Sequence, residues 1–300
     1  MDGEVQISCC PPAERSAALR ILHAGLPEDQ QAGLVQALHA LPQNSESAFQ
    51  GLLVALRAKE MVGASWIQPA PGRTALLWPP SVNGPATQQL MQTAAEWLDN
   101  ENIVLAQILG SSWASYDLAL LSMGGFKELA ELAYLTVDRK YFPTKHPSSE
   151  LQFEPYNKQD CSRLEDLISK TYQGSLDCPD LNGVREICDV IEGYLSQGTS
   201  GDEHWFFARK NRDDVGVLIL TPHTTEQWEL VYMGIIPLAR GSGLGKQLVQ
   251  FALWHSGCVG ADRIVLAVDQ ANQPALNMYH SNGFVVWDRR TVFARFGRGQ

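Results

Sequence analysis

The stretch YMGIIPLARGSGLGKQLVQFAL, from Tyr232 to Leu253, places Gly241, Gly243 and Gly245 between an apolar run and an amphipathic one. The apolar run reads as a strand and LGKQLVQFALWH as a helix, so the glycines form a strand-to-helix turn. A turn of this kind brings unpaired backbone N–H groups and the positive end of a helix dipole to one point, which suits a phosphate. Glycines let the backbone close around an anion and take positive φ where required, and Arg240 offers a charge-assisted contact. Taken alone, the loop leaves open a ligand-free Gly-rich turn.

Two familiar phosphate loops fail on this stretch. A P-loop needs G-x-x-x-x-G-K-[ST], but Arg240 stands at its first glycine and Gln247 at its hydroxyl. A dinucleotide fingerprint needs a third glycine where Lys246 stands. What remains is R-G-x-G-x-G after IIP, followed downstream by a strand, RIVLAVD, and then by VDQANQPALNMYHSNGF over residues 268–284.

These two motifs, in this order, resemble the Gcn5-related N-acetyltransferase (GNAT) family over roughly residues 151–296. The resemblance implies a mixed α/β fold and acetyl-CoA as cofactor. It implies a pyrophosphate held by Arg240, Gly241, Ser242, Gly243, Leu244, Gly245 and Lys246, with Ile235 and Ile236 alongside the thioester end. It also implies that Asn272 and Ala275 meet the cofactor and that Tyr279 faces the thioester sulfur as the acid. Glu229, in WELVYMGI, resembles the strand-four glutamate that serves several relatives as base; a partner for an arginine or a solvated strand charge is the competing reading. Gly234 suggests a β-bulge that aims a backbone N–H, that of Ile235, at the thioester carbonyl. His204, His223 and His255 are alternative bases by position, although each also reads as structural or solvated.

Outward from the motifs, the chain repeats itself. Pro79 and Pro237 each end an apolar run, Gly125-Phe126 matches Gly283-Phe284, and Leu90 matches Leu248, all at an offset of 158 residues. Nearer the start of each copy, Val62-Gly63 matches Val215-Gly216 and VQISCC matches LQFEPY. The sequence therefore reads as two tandem acetyltransferase-like domains, each an open, mostly antiparallel sheet flanked by helices. Residues 1–140 form a degenerate copy, 141–149 (YFPTKHPSS) a linker, and 150–300 the catalytic copy. The plan resembles tandem members of the same family. In the second copy, periodicity predicts helices near 158–172 and 182–194 and three strands in HWFFAR, VGVLILT and WELVYMGII.

The offset carries Arg240 to Val82, Gly241 to Asn83, Gly243 to Pro85 and Gly245 to Thr87. Asn272 falls on Ala114 and Tyr279 on Leu121. Proline removes an N–H from the turn, so only the second copy is expected to bind coenzyme A.

Composition bounds the rest. The 300 residues are 45% hydrophobic and 19% charged, with a formal net charge of -10 and no Lys/Arg cluster, so no nucleic-acid partner is expected. Neither a long apolar run nor a leader-like N-terminus is evident, which gives an expectation of a cytoplasmic chain with no membrane partner. Six cysteines without C-x-x-C or histidine spacing predict no metal site, and most of them read as small core residues. The oligomeric state, monomer or homodimer, stays open.

The expected reaction is direct transfer from acetyl-CoA to an amine in a ternary complex. The acceptor segment TYQGSLDCPDLNGVREICDVIEGY holds Asp177, Asp180, Glu186, Asp189 and Glu192 against Arg185, which favours a small cationic acceptor or else is an acidic solvated face. Cys178 could act as a nucleophile, but no histidine accompanies it. Two other readings remain: a non-catalytic acyl-CoA-binding or scaffold protein, and an enzyme acting on protein N-termini or lysines.

Overall fold

A computed structural model describes residues 4–41, 46–81, 83–110 and 118–297. Val82 and Ala114, the counterparts of Arg240 and Asn272, lie outside the described residues. The chain forms two compact units, one of Met1–Leu129 with Arg290–Gln300 and one of Ala130–Arg289.

In the first unit, β1 (Val5–Cys9), β2 (Gly51–Arg57), β3 (Glu60–Ala70) and β4 (Thr74–Trp78) are antiparallel neighbours, and β5 (Leu105–Gly110) lies parallel to β4. Helices α1 (Arg15–Gly25), α2 (Glu28–His39), α3 (Thr87–Asn100) and α4 (Leu118–Met123) complete the unit. Helix α3 shows how sequence makes the element: Leu90, Met91, Ala94 and Leu98 recur at helical spacing and are buried, while Gln89, Gln92 and Glu96 between them stay on the outer face. Those apolar residues pack on Leu53, Ala55, Ile67 and Ile108 of the sheet.

The second unit begins with β6 (Lys127–Asp138) from Ala130 onward. It continues through β7 (Gln152–Pro155), α5 (Cys161–Tyr172), α6 (Ile187–Leu195), β8 (Trp205–Lys210), β9 (Asp213–Pro222) and β10 (Gln227–Ile235). Helix α7 (Leu244–Cys258), β11 (Arg263–Asp269) and α8 (Gln273–Ser281) follow, and β12 (Val285–Phe296) ends the described chain. The sheet order is β6-β11-β10-β9-β8-β7, antiparallel throughout except for the parallel β10/β11 pair. Mixed α/β architecture and the doubled copy thus agree with the sequence reading.

The last strand of each copy does not stay with its own copy. Shifted by the repeat offset, Lys127–Asp138 falls on Val285–Phe296, so β6 and β12 are equivalent strands. Yet residues 132–138 of β6 pair with β11, and residues 291–296 of β12 pair with β5. Ala133, Leu135 and Val137 enter the core beneath α7, whereas Phe293 enters the core beneath α3. Residues 141–149, read from composition as a linker between domains, consequently fall inside the second unit. There Phe142 is buried and Ser149 Oγ donates to Gln247 Oε1 at 2.8 Å.

Two further expectations change. Helix α6 starts at Ile187 rather than near 182, because Pro179–Leu181 form a 3-10 turn and Gly183, at φ +78°, interrupts any earlier start. Of the six cysteines only Cys10 is buried; Cys178 is half-buried and the other four are exposed, so they are not core residues. No helix among the described residues is long and apolar enough to cross a membrane.

Candidate functional site

Strands β10 and β11 pair only at Gln227, Trp228 and Glu229, against Arg263, Ile264 and Val265. Beyond that point both strands continue without each other, β10 to Ile235 and β11 to Asp269, and the sheet opens between them. A bulge starts the divergence. Leu230 faces Leu220 and Tyr232 faces Ile219, leaving Val231 as the extra residue. The bulge expected at Gly234 is therefore three residues earlier. Gly234 serves a different purpose: a Cβ there would lie 2.7 Å from Thr171 Cβ and 2.8 Å from Tyr232 Oη, so its lack of a side chain admits the end of α5 against β10.

The opening fixes the direction of backbone groups. Ile236 N–H donates to Val215 O at 2.9 Å, so by antiparallel alternation the N–H groups of Ile235 and Met233 point away from β9, toward the gap. Ile236, expected beside the thioester, has its N–H committed to β9 and its side chain packed in the core. The Ile235 N–H faces the gap.

A cavity of about 430 Å³ occupies the gap, lined among others by Tyr232, Ile235, Asn272, Ala275 and Tyr279. It shares Ile235, Arg240, Pro274, Ala275 and Met278 with a second cavity of about 410 Å³, which reaches Gly241, Gly243, Leu244, Gly245 and Lys246. On its other side it shares Ser175, Asp177, Val231 and Tyr232 with a third, of about 490 Å³, formed by the segment between α5 and α6. One groove thus runs from the start of α7, through the strand gap, to the acidic segment.

At the first end, Gly241 and Gly243 have φ of +76° and +81°, values that side chains rarely adopt. Nothing lies within 4 Å of where their Cβ atoms would be, so the turn opens outward. Gly243 is the N-cap of α7 and no side chain caps it, which leaves the first-turn N–H groups without a side-chain acceptor. Ser242 Oγ donates back to Ala239 O, and Lys246 is exposed at the cavity wall. Arg240 departs from expectation. Its Nε donates to Ile235 O at 2.9 Å, Nη1 to Gly174 O at 2.9 Å and Nη2 to Thr171 O at 2.7 Å. The guanidinium is a clamp that ties the end of β10 to the end of α5, and it is not extended toward the glycine turn.

In the gap, Tyr279 is buried against Phe284 with ring centroids 5.4 Å apart, and burial, assisted by the charge of Asp177, drives its pKa well above that of free tyrosine. It remains a protonated phenol, able to donate. Asn272 caps α8, its Oδ1 accepting from Ala275 N–H at 3.3 Å. Its role is first to build the wall of the cavity.

Glu229 lies outside this groove. Its Oε2 meets His223 Nε2 at 2.5 Å on the paired part of β10, and it lines neither the 430 nor the 490 Å³ cavity. That ion pair raises the His223 pKa, the hydrogen bond outweighing partial burial. His204 and His255 stand 3.2 Å apart between Trp228 and Phe251; burial lowers both pKa values, that of His255 to about 4. Cys178 has φ +43° and a thiol pKa pushed up to about 12 by burial and by Asp177, so it is protonated and a poor nucleophile. Among the described residues, no group of three or more His, Cys, Asp or Glu is placed to hold a metal ion.

The structure brings together residues that no motif or spacing groups. Tyr172, Tyr194 and Tyr232 wall the third cavity, and Asp177 stands where it joins the strand gap. Their signal was thin: one aspartate in an acidic run and three tyrosines on three different elements.

An open strand gap beside a glycine-built helix start defines an acetyltransferase fold, and residues 165–284 match the Acetyltransferase (GNAT) family. The match lies within the second unit, Ala130–Arg289. A mycothiol acetyltransferase of Corynebacterium glutamicum is 31% identical over 94 residues, 31% of this chain and 32% of that protein. The match spans about a third of that relative's length. A GCN5-related N-acetyltransferase from Sphaerobacter thermophilus has a similar fold, with a TM-score of 0.62 at 15% identity, covering 99% of this chain and 98% of that one. A tandem GNAT protein from the clavulanic acid biosynthesis pathway covers 99% of this chain and 100% of its own at a TM-score of 0.50 and 12% identity.

Proposed function

We propose that this protein is an acetyl-CoA-dependent N-acetyltransferase that acts on a small amine by direct transfer within its second copy. The observation that carries the reading is the single groove joining the uncapped start of α7 to the walled space between α5 and α6 through the strand gap. A pyrophosphate fits the first-turn N–H groups at Gly243, Leu244 and Gly245, where dipole and unpaired donors coincide and Gly241 offers no side chain in the way. Ala275 and Gly245 leave the path along α8 narrow but open, which suits a linear pantetheine arm.

When bound, the donor supplies an acyl group activated as a thioester. The Ile235 N–H, turned toward the gap, is placed to stabilise charge on the carbonyl oxygen, and Met233 N–H shares its direction. Tyr279, held neutral by burial, is the proton source for the departing sulfur. Cys178, protonated and strained, takes no part in an acyl-enzyme route. A third cavity of about 490 Å³ favours a small molecule over an extended polypeptide as acceptor. The test is thiol release from acetyl-CoA by the purified chain across a panel of primary amines and lysine peptides. Turnover confined to peptides, or none with any amine, contradicts the reading.

A further inference from the structure

The Asp177 carboxylate stands at the junction of the strand gap and the third cavity and lines both. Its Oδ1 accepts from Asp269 N–H at 2.8 Å; Asp269 in turn accepts from Cys178 N–H at 3.1 Å and Ala271 N–H at 2.8 Å. The loop after α5 is thereby fastened to the end of β11, and the carboxylate is fixed in place. It is exposed to the groove.

Next to it the cavity wall is aromatic. Tyr194 and Tyr232 stack at 5.4 Å with planes 20° apart, and Tyr172 meets Tyr232 edge-on at 5.4 Å. The hydroxyls are turned to each other or to protein: Tyr172 to Tyr194 at 2.6 Å, Tyr232 to Thr171 at 2.8 Å. The rings are what the wall offers a ligand. A carboxylate beside tyrosine rings favours an organic cation with an apolar body.

We propose that Asp177 receives the ammonium group of the acceptor, whose apolar or aromatic body lies against Tyr172, Tyr194 and Tyr232. This rests on the acetyltransferase reading and names the acceptor class of the same site. The ammonium gives one proton to the Asp177 carboxylate, the freed nitrogen pair forms the C–N bond, and the C–S bond breaks. Tyr279 protonates the thiolate, the nitrogen sheds a second proton that restores the phenol, and Asp177 returns its proton to water. Glu229, bonded to His223 outside the groove, has no such access.

Burial and the neighbouring Asp269 carboxylate hold the Asp177 pKa above the ordinary carboxylate value. The other titratable groups coupled to it are Cys178, Tyr172, Tyr232 and Tyr279, all neutral at pH 7. Arg185 and Glu186 line the same cavity with opposite charges. The preference for a cation should accordingly fade as pH falls through the raised carboxyl pKa.

The experiment titrates tyramine, and 4-ethylphenol as its counterpart without the amine, into the full chain saturated with coenzyme A at pH 7.5 and pH 5. The expected result is tyramine binding at least tenfold tighter at pH 7.5, with a smaller ratio at pH 5. In Asp177→Asn, whose amide oxygen can still accept from Asp269 N–H, the ratio should fall to about one with coenzyme A affinity and Tm retained; Asp177→Glu should restore part of it. A wild-type ratio near one, or an unchanged ratio in Asp177→Asn, overturns the proposal. Failure of coenzyme A itself to bind would instead overturn the acetyltransferase reading.

Discussion

The turn before α7 and the turn before α3 hold equivalent places in the two copies, and they differ in what closes them. Before α7, two glycines at positive φ leave the helix start uncapped and open. Before α3, Pro85 stands in the turn and Thr87 folds its hydroxyl inward, donating to the Ser81 and Gly84 carbonyls. Around the first copy's turn a cavity of about 350 Å³ persists, lined by Gly84, Pro85, Thr87, Gln88, Leu120 and Met123; Gly84 does not have the positive φ of Gly241 and Gly243, and Pro85 has no N–H to offer an anion. Both copies keep the fold, and the open turn with two positive-φ glycines, the proposed phosphate site, is in the second. Thr87 and Leu244 begin the buried faces of α3 and α7, which Leu90, Met91, Ala94 and Leu98 continue in the one and Leu248, Val249, Phe251, Ala252 and Leu253 in the other.

The most severe way to break the comparison is to separate the copies by sequence. Residues 145–300 alone would lack β6, exposing the β11 edge and removing Ala133, Leu135 and Val137 from the core under α7. We expect an insoluble product or complete loss of coenzyme A binding, read by solubility and calorimetry. A soluble, monomeric, fully active fragment would mean that the exchanged strand is dispensable.

The next effect is chemical. Tyr279→Phe keeps the ring against Phe284 and removes the hydroxyl; kcat should fall on the order of 10- to 1000-fold with coenzyme A affinity nearly unchanged. The first copy has Leu121 at that position, buried and without a proton to give. Unaltered turnover would assign the thiolate's proton to another group.

Arg240 sharpens the comparison further, because it distinguishes a clamp from a phosphate contact. Arg240→Lys keeps the charge but cannot reach three carbonyls in a fork. Chemical denaturation should show a loss of about 1.5–3 kcal/mol, the usual scale for a hydrogen bond to a charged group. A variant with full stability and weakened coenzyme A binding would restore the phosphate role read from sequence.

The smallest effect concerns Glu229. Its bond to His223 raises the histidine pKa, so the pair stabilises the fold fully below the ordinary histidine value and loses that contribution as pH rises through the raised one. His223→Gln should lower Tm at pH 6 and hardly at pH 9. A loss confined to turnover, with Tm unchanged at both pH values, would return Glu229 to the active site.

Much of this was legible in the chain. The glycine loop, Tyr279 and the order of motifs mark the second copy because phosphate binding and the strand-to-helix turn demand particular residues at fixed spacing. The repeat showed itself through prolines and Gly-Phe pairs at one offset. Strand exchange did not, because β6 and β12 are equivalent strands, and the apolar pattern of either suits either sheet. Gly234 was misread because a missing side chain signals a bulge and a close approach alike, and only the position of Thr171 decides. Arg240 looked free because its three acceptors are backbone carbonyls, two of them more than sixty residues away. Asp177 and the three tyrosines gather only once α5, α6 and β10 converge.

The second copy is proposed to bind coenzyme A and the first is not. Titration of coenzyme A into the full chain by calorimetry tests it directly, alongside Gly243→Pro, which forces φ away from +81° at the helix start. One site per chain is expected, abolished in the variant while the fold persists by circular dichroism. Two equivalent sites, or one site that survives Gly243→Pro, would contradict it.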